Sequence, residues 1–348
     1  YYYIFIIAWP SGSGRTEYVY RSKDLLGTYE SKAILSSGVG SYGSGAAQGG
    51  IVDTPDGKWY GMVFQDHGAV GRIPVLVPVT WENGWPIMGV NGKAPVTFDM
   101  DCALTGTHLA GDDDFSYTSN DLALEWQWNH NPDNSAWSVT DRDGWLRLYN
   151  KNMATHLLNA RNTLTMRTEG PACSSYIKLD TKGMKPGDHA GLSAFQLKYG
   201  NIGVYVTDSG AKKLYMSTNS GSDVAGTTDA IQAEADLTGD EVYLKVDFKF
   251  SDVKSDMSAS NDIDKANFYY SYDGSNWTKL GSELKMSYDL KLFTGYRSAI
   301  FSYPTKSTGG YADIDFFEYD RTPWNGADGS ATVNGKGGHV IEPDENGY

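Results

Sequence analysis

Apolar and polar residues alternate along most of this chain in short runs, and the runs change character near residue 95. Before that point, residues 1–9, 16–22, 51–54, 58–66 and 72–81 each read as a short strand. Polar, glycine-rich turns divide them. Ser11-Gly12-Ser13-Gly14-Arg15, Pro55-Asp56-Gly57 and Glu82-Asn83-Gly84 supply residues that tolerate a positive φ or preset it through proline. Residues 51–66, folded about Pro55-Asp56-Gly57, predict a β-hairpin. From about residue 96 to residue 320 the strands lengthen and alternate with period two, as in 121–128, 145–148, 174–180, 203–207, 241–250 and 268–272. That spacing predicts a two-sheet sandwich. Residues 321–348 are rich in Gly, Asn and Asp with almost no apolar periodicity, which predicts a flexible tail or linker.

Composition supports an all-β reading with two domains. The 348 residues include 24 Tyr, 10 Trp and 40 Gly, and two cores fit in that length. The formal charge of −14 leaves no Lys/Arg stripe for a phosphate backbone, so nucleic acid is not an expected partner. No apolar run approaches the ~20 residues that cross a bilayer, so a membrane is not expected either. Abundant aromatic rings suit the C–H faces of sugars, and equally suit the core of a sandwich. Cys102 and Cys173 lack Cys-x-x-Cys spacing; one bridge and two free thiols both remain open. At roughly 40 to 50 residues per propeller blade, residues 1–95 supply about two blades, and a ring typically takes four to eight. The chain opens inside a strand with no initiator Met, and it is read as a fragment.

Three stretches of the first region carry a family resemblance: residues 1–30 (YYYIFIIAWPSGSGRTEYVYRSKDLLGTYE), AQGGIVDTPDGKWYGMVFQD and GAVGRIPVLVPVTWENGWPIMG. Together they resemble the last two blades of the five-bladed propeller of glycoside hydrolase family 43. The second region is similar to that family's C-terminal concanavalin-A-like sandwich, through LALEWQWNHNPDNSAWSVTDRDGWLRL, LLNARNTLTMRTEGPACSSYIKLD and FYYSYDGSNWTKLG followed by FTGYRSAIFSYPTKSTGGYADIDFFEYD. The resemblance implies a partial propeller over 1–95, a sandwich over 96–320, and a parent enzyme, secreted or periplasmic, that cleaves terminal xylose or arabinose from plant hemicellulose. It implies an inverting mechanism with three carboxylates, all of which would precede Tyr1. No catalytic residue is therefore assigned within this chain. A non-catalytic carbohydrate-binding or accessory module is the alternative.

Inverting hydrolysis needs two carboxyl groups about 6.5–9.5 Å apart. The acidic residues of the first region are weighed on that basis. Asp56 belongs to a turn, and Glu17 and Asp53 read as solvated strand positions. Asp66 ends a strand beside the Gly68–Gly71 loop, where a substrate contact or a supporting role is available. Arg72 opens the next strand and matches the family's Gly-Arg position near the sugar, where a guanidinium would hydrogen-bond two hydroxyls; the alternative is a surface Arg at a strand end. Gln48 occupies the place of a family histidine that ligates calcium, so a structural calcium is an open expectation and no cofactor is required. Trp9 reads as a wall of the sugar pocket or as core. Trp128, His130 and Trp137 share one polar-aromatic loop that either touches ligand or is structural. Asp112-Asp113-Asp114 fails the EF-hand pattern and reads as a solvated loop. No Gly-x-Ser-x-Gly elbow or Ser/His/Asp constellation is found. Xylo- or arabino-oligosaccharide is the expected partner.

Overall fold

The computed structural model describes residues 1–40, 44–100, 109–221, 229–250, 263–292 and 294–321. Cys102 and residues 322–348 of the expected tail lie outside them. The described residues fall into two compact units, one reaching Met100 and one beginning at Leu109.

The first unit holds two antiparallel sheets. One is ordered β1 (Tyr2–Ala8), β2 (Thr16–Ser22), β3 (Glu30–Leu35); the other runs β4 (Ala47–Asp53), β5 (Trp59–Asp66), β6 (Arg72–Glu82), β7 (Trp85–Met88). The predicted hairpin is the β4–β5 pair. Its turn closes with Gly57 N–H donating to the Thr54 carbonyl at 2.8 Å, and Gly57 takes a φ of 79°. β3 was not anticipated, because Glu30–Leu35 is polar at its start and turns apolar only at Ile34 and Leu35.

Period-two alternation places Arg15, Glu17, Val19 and Arg21 on one face of β2 and its approach. That face joins the sheets. Val19, Ile34 and Leu35 pack with Val63, Val77, Ile87 and Met88 in one buried cluster. At one end Arg21 donates from Nη1 to the Asn83 carbonyl at 2.7 Å, lies 3.8 Å over the Trp85 ring, and pairs through Nε with Glu30 at 2.7 Å. The other end holds the ionic cluster described below. Both outer faces are also apolar: Tyr2 and Ile4 are 50% and 48% exposed on one sheet, Val52 and Met62 55% and 49% on the other. Strands with apolar residues on both faces belong to sheets meant to be covered on both sides. Two such sheets make a partial propeller of about two blades.

The second unit is a β-sandwich. One sheet runs through Thr278–Lys279, Lys265–Ser271, Glu241–Lys249, Ala172–Asp180, Tyr311–Asp320, Leu146–Tyr149 and Trp137–Ser138, with Leu284–Lys285 also paired to Lys265–Ser271. The other runs through Ala230–Asp236, Lys212–Asn219, Tyr199–Val206, Asp188–Phe195, Arg297–Pro304, Leu164–Arg167 and Gln127–Trp128. Ile177, Leu244, Val246 and Phe268 of the first sheet, and Leu192, Ile202, Val204 and Ile300 of the second, are wholly buried. Gly200 makes room for the Phe268 ring, since a Cβ there would stand 2.6 Å from its Cζ.

Two expectations are corrected. Of residues 121–128 only Gln127–Trp128 is strand. Trp126 N–H instead closes a turn onto the Ala123 carbonyl, its Nε1 donates to Asp113 at 2.7 Å, and Leu124 points outward at 97% exposure. Arg321, expected to open the tail, is tied down by Glu169 at 2.7 Å.

Candidate functional site

Asp66 and Arg72 are direct cross-strand partners at the turn end of the β5–β6 hairpin. The connection between them is tight: His67 N–H donates to the Gly71 carbonyl and Gly71 N–H to the Gly68 carbonyl, both at 2.9 Å. Gly68 and Gly71 take φ values of 63° and 93°, a region that favours glycine. Arg72 Nε lies 3.4 Å from Asp66 Oδ1, and Arg15, from the other sheet, bonds Asp66 Oδ2. Phe64, two residues before Asp66 on the same face, lies under both guanidinium groups at 4.2 Å from Arg72 and 5.1 Å from Arg15. The result is an aspartate clamped between two arginines above one aromatic ring. Arg15 is buried at Nε and Nη1, neither of which has a hydrogen-bond partner among the described residues.

Two residues beyond Arg15, Glu17 is fully buried rather than solvated. Its Oε2 accepts the Gln48 N–H at 2.6 Å, and the Gly49 N–H also points to this carboxyl. Burial is the largest influence and pushes its pKa up to about 7, against the lowering effect of those two backbone donors. The donors converge because the β4–β5 register slips between Ala47 and Gly50, forming a bulge with Gln48 at a φ of 69°. Gly49 is required there: a Cβ would stand 1.8 Å from the Met62 carbonyl oxygen. Gln48 therefore meets Glu17 through its backbone, while its residue surface is exposed.

The remaining candidates are placed as follows. Trp9, one residue past β1, is 66% exposed. Asp53 and Asp56 are exposed, and Asp56 accepts the Thr54 hydroxyl within its turn. In the second unit the Trp128 and Trp137 ring centroids are 5.2 Å apart, and His130 Nε2 contacts the Leu158 carbonyl at 2.8 Å. Asp133 holds that loop through Ser135 N–H and Asn152 Nδ2, both at 3.0 Å, and these hydrogen bonds, with that to the Ser135 hydroxyl, keep its carboxyl down at about 2. The Asp112–Asp114 run is a set of clips rather than a free loop: Asp112 accepts Tyr319 N–H at 2.7 Å, and Asp113 accepts Phe115 N–H at 2.8 Å.

The structure thus brings Asp66 and Arg72 together and adds Arg15 and Glu17, which sequence reasoning missed. Their signal was present in Arg15-x-Glu17-x-Val19-x-Arg21, whose alternation puts three charged residues on the side of a core valine.

Residues 112–320 match the family described as the beta xylosidase C-terminal concanavalin A-like domain. A beta-xylosidase of Formosa agariphila is 31% identical over 364 aligned residues, covering 92% of this chain and 57% of its own length. A solved bifunctional GH43-CE protein of Bacteroides eggerthii is 44% identical, with a TM-score of 0.80 over 92% of this chain and 39% of its own. A solved GH43 glycoside hydrolase, engineered to display both endo-xylanase and exo-arabinofuranosidase activity, is 31% identical, with a TM-score of 0.78 over 91% of this chain and 62% of its own. The chain spans little more than half the length of the curated beta-xylosidase it matches. By this match, and by its pairing of two propeller-type sheets with a sandwich, the chain belongs to glycoside hydrolase family 43 and carries that family's C-terminal concanavalin-A-like domain.

Proposed function

We propose that this chain is the later portion of a secreted or periplasmic family 43 glycosidase that removes terminal xylose or arabinose from hemicellulose by inversion. The acid and base would come from a preceding segment of a longer protein. The observation that carries the reading is the Asp66 carboxylate fixed between Arg15 and Arg72 at the strand ends of a partial propeller. A guanidinium held in this way is a rigid donor for sugar hydroxyls, and Trp9 supplies an exposed ring beyond β1 for a sugar face. The match to a beta-xylosidase and the apolar outer faces of the two sheets support a larger parent propeller. The ligand on this reading is a pentose oligosaccharide, with neither nucleic acid nor membrane as partner.

Calcium fits these residues poorly by themselves. The ion takes six to eight oxygen ligands, whereas among the described residues no group of three or more His, Cys, Asp or Glu could hold a metal. Glu17 Oε1 is one buried oxygen without a hydrogen-bond partner, and Gln48 is engaged through its N–H. Further ligands would have to come from elsewhere, and no chemical step is routed through the ion.

The test is hydrolysis of aryl pentosides. The 348-residue chain should show no turnover above background, and the longer protein should be active. In that longer protein Arg72→Ala should lower the rate roughly 10- to 100-fold, the scale of a lost charge-assisted hydrogen bond. Hydrolysis by the 348-residue chain that is abolished by Asp66→Asn would overturn the reading and make Asp66 catalytic.

A further inference from the structure

Six of the nine arginines in this acidic chain rest on a carboxylate. Arg15 and Arg72 share Asp66, Arg21 has Glu30, Arg142 has Asp180 and Asp313, Arg147 has Asp313, and Arg321 has Glu169. Arg297 of the sandwich departs from this pattern. Its Nη1 is anchored by two neutral acceptors, the Gln127 side-chain oxygen and the Thr165 hydroxyl, the latter at 3.3 Å. Among the described residues it makes no ion pair. The residue is partly exposed, and among the described residues its Nε and Nη2 have no hydrogen-bond partner.

The residue directly opposite it across the Leu164–Arg167 and Arg297–Pro304 pairing is Arg167, exposed and likewise without an ion pair among the described residues. Like charges in direct cross-strand register are destabilising. Burial and the Arg167 charge both pull the Arg297 pKa down. The fold therefore keeps two adjacent cations where no acid among the described residues relieves them. Phe195, the partner of Arg297 on the other neighbouring strand, places an aromatic side chain on the same sheet face.

We propose that Arg297 and Arg167 form a carboxylate-binding site on the sandwich that takes the uronic acid substituent of a sugar chain. The Nε–Nη2 edge, which no described residue occupies, has the bidentate geometry a carboxylate prefers, and the exposed Arg167 adds a second charge beside it. This assignment rests on the carbohydrate reading above only for the carrier of the carboxylate. It gives the sandwich a preference for acidic branches that the cluster around Asp66 does not supply.

Calorimetric titration of the 348-residue chain tests it, using a xylo-oligosaccharide and the same oligosaccharide bearing one glucuronic acid branch. The acidic ligand should bind at least about tenfold more tightly at low salt, with the margin shrinking as salt is raised. Arg297→Gln should abolish the margin, and Arg167→Gln should reduce it several-fold. Arg167 is exposed, so that variant keeps the test decisive if Arg297→Gln fails to fold. Free glucuronate should compete, and acetate should compete far less. Equal binding of the two oligosaccharides, a margin that survives Arg297→Gln, or acetate competing as well as glucuronate would each overturn the proposal. Aryl pentosides carry no carboxylate, so their turnover by the longer protein does not depend on this site and the two readings fail separately.

Discussion

The two units bury their apolar surface in opposite ways. In the sandwich, two large sheets cover one another, and Ile177, Leu244, Phe268, Leu192, Ile202 and Ile300 are all wholly enclosed. In the first unit, two small sheets share one inner layer around Val19, Val63 and Val77, while Tyr2, Ile4, Val52 and Met62 point outward from their other faces. The sandwich has a closed core of its own. The first unit has half of one, and both ends of its shared layer are pinned by charge: Arg15 with Asp66 at one, Arg21 with Glu30 at the other. Apolar burial is non-directional and grows with area, whereas ionic clips fix geometry and contribute little net stability. The contrast suggests that one unit supplies stability and the other supplies placement.

The strongest way to break that contrast is to separate the pieces. Residues 107–321 expressed alone should melt in one cooperative transition, and residues 1–106 alone should not. A sharp calorimetric transition in the shorter piece would refute the asymmetry. Next in size, Phe268→Ala in the sandwich should cost about 3–5 kcal/mol, as is usual for a buried aromatic truncation, read from urea unfolding.

A smaller effect sharpens the comparison inside the first unit. Because the folded chain holds the Glu17 proton more tightly than the unfolded chain does, this residue's contribution is full below about pH 4.5 and is lost as the pH rises through about 7. Unfolding monitored between pH 4 and pH 8 should show that decline, and Glu17→Gln should flatten it. An unchanged slope in the variant would show that the carboxyl ionises freely. The smallest effect belongs to a half-exposed pair on the sandwich. Lys212→Ala removes the 2.7 Å contact with Asp240 and should shift stability by under about 1 kcal/mol, measured by the same unfolding assay.

Local features were legible in the sequence and cross-sheet features were not. Pro55-Asp56-Gly57 specified its turn because the required φ is a property of those residues alone. Asp66 and Arg72 could be put at the two ends of one loop because Gly68 and Gly71 mark it, although their ion pair was not foreseen. Glu17 could not be recognised as buried. Thr16–Ser22 mixes polar and apolar residues on both faces, and the Gln48 and Gly49 donors that accommodate the carboxyl come from a strand more than thirty positions away. The over-long strand predicted at 121–128 failed for a similar reason. Its Leu122-x-Leu124-x-Trp126 alternation imitates a strand, but Trp126 is drawn out of register by Asp113.

The bulge at Gln48 and Gly49 also bears on how this sequence can vary. With the Met62 carbonyl oxygen only 1.8 Å from where a Cβ would sit, position 49 admits no side chain unless β5 shifts. A shift of β5 would carry Phe64 and Asp66 with it, since both follow Met62 on that strand. A saturation scan of the chain should therefore find position 49 closed to every replacement. An alanine forced into it would register less as lost stability than as a displaced arginine clamp several residues away.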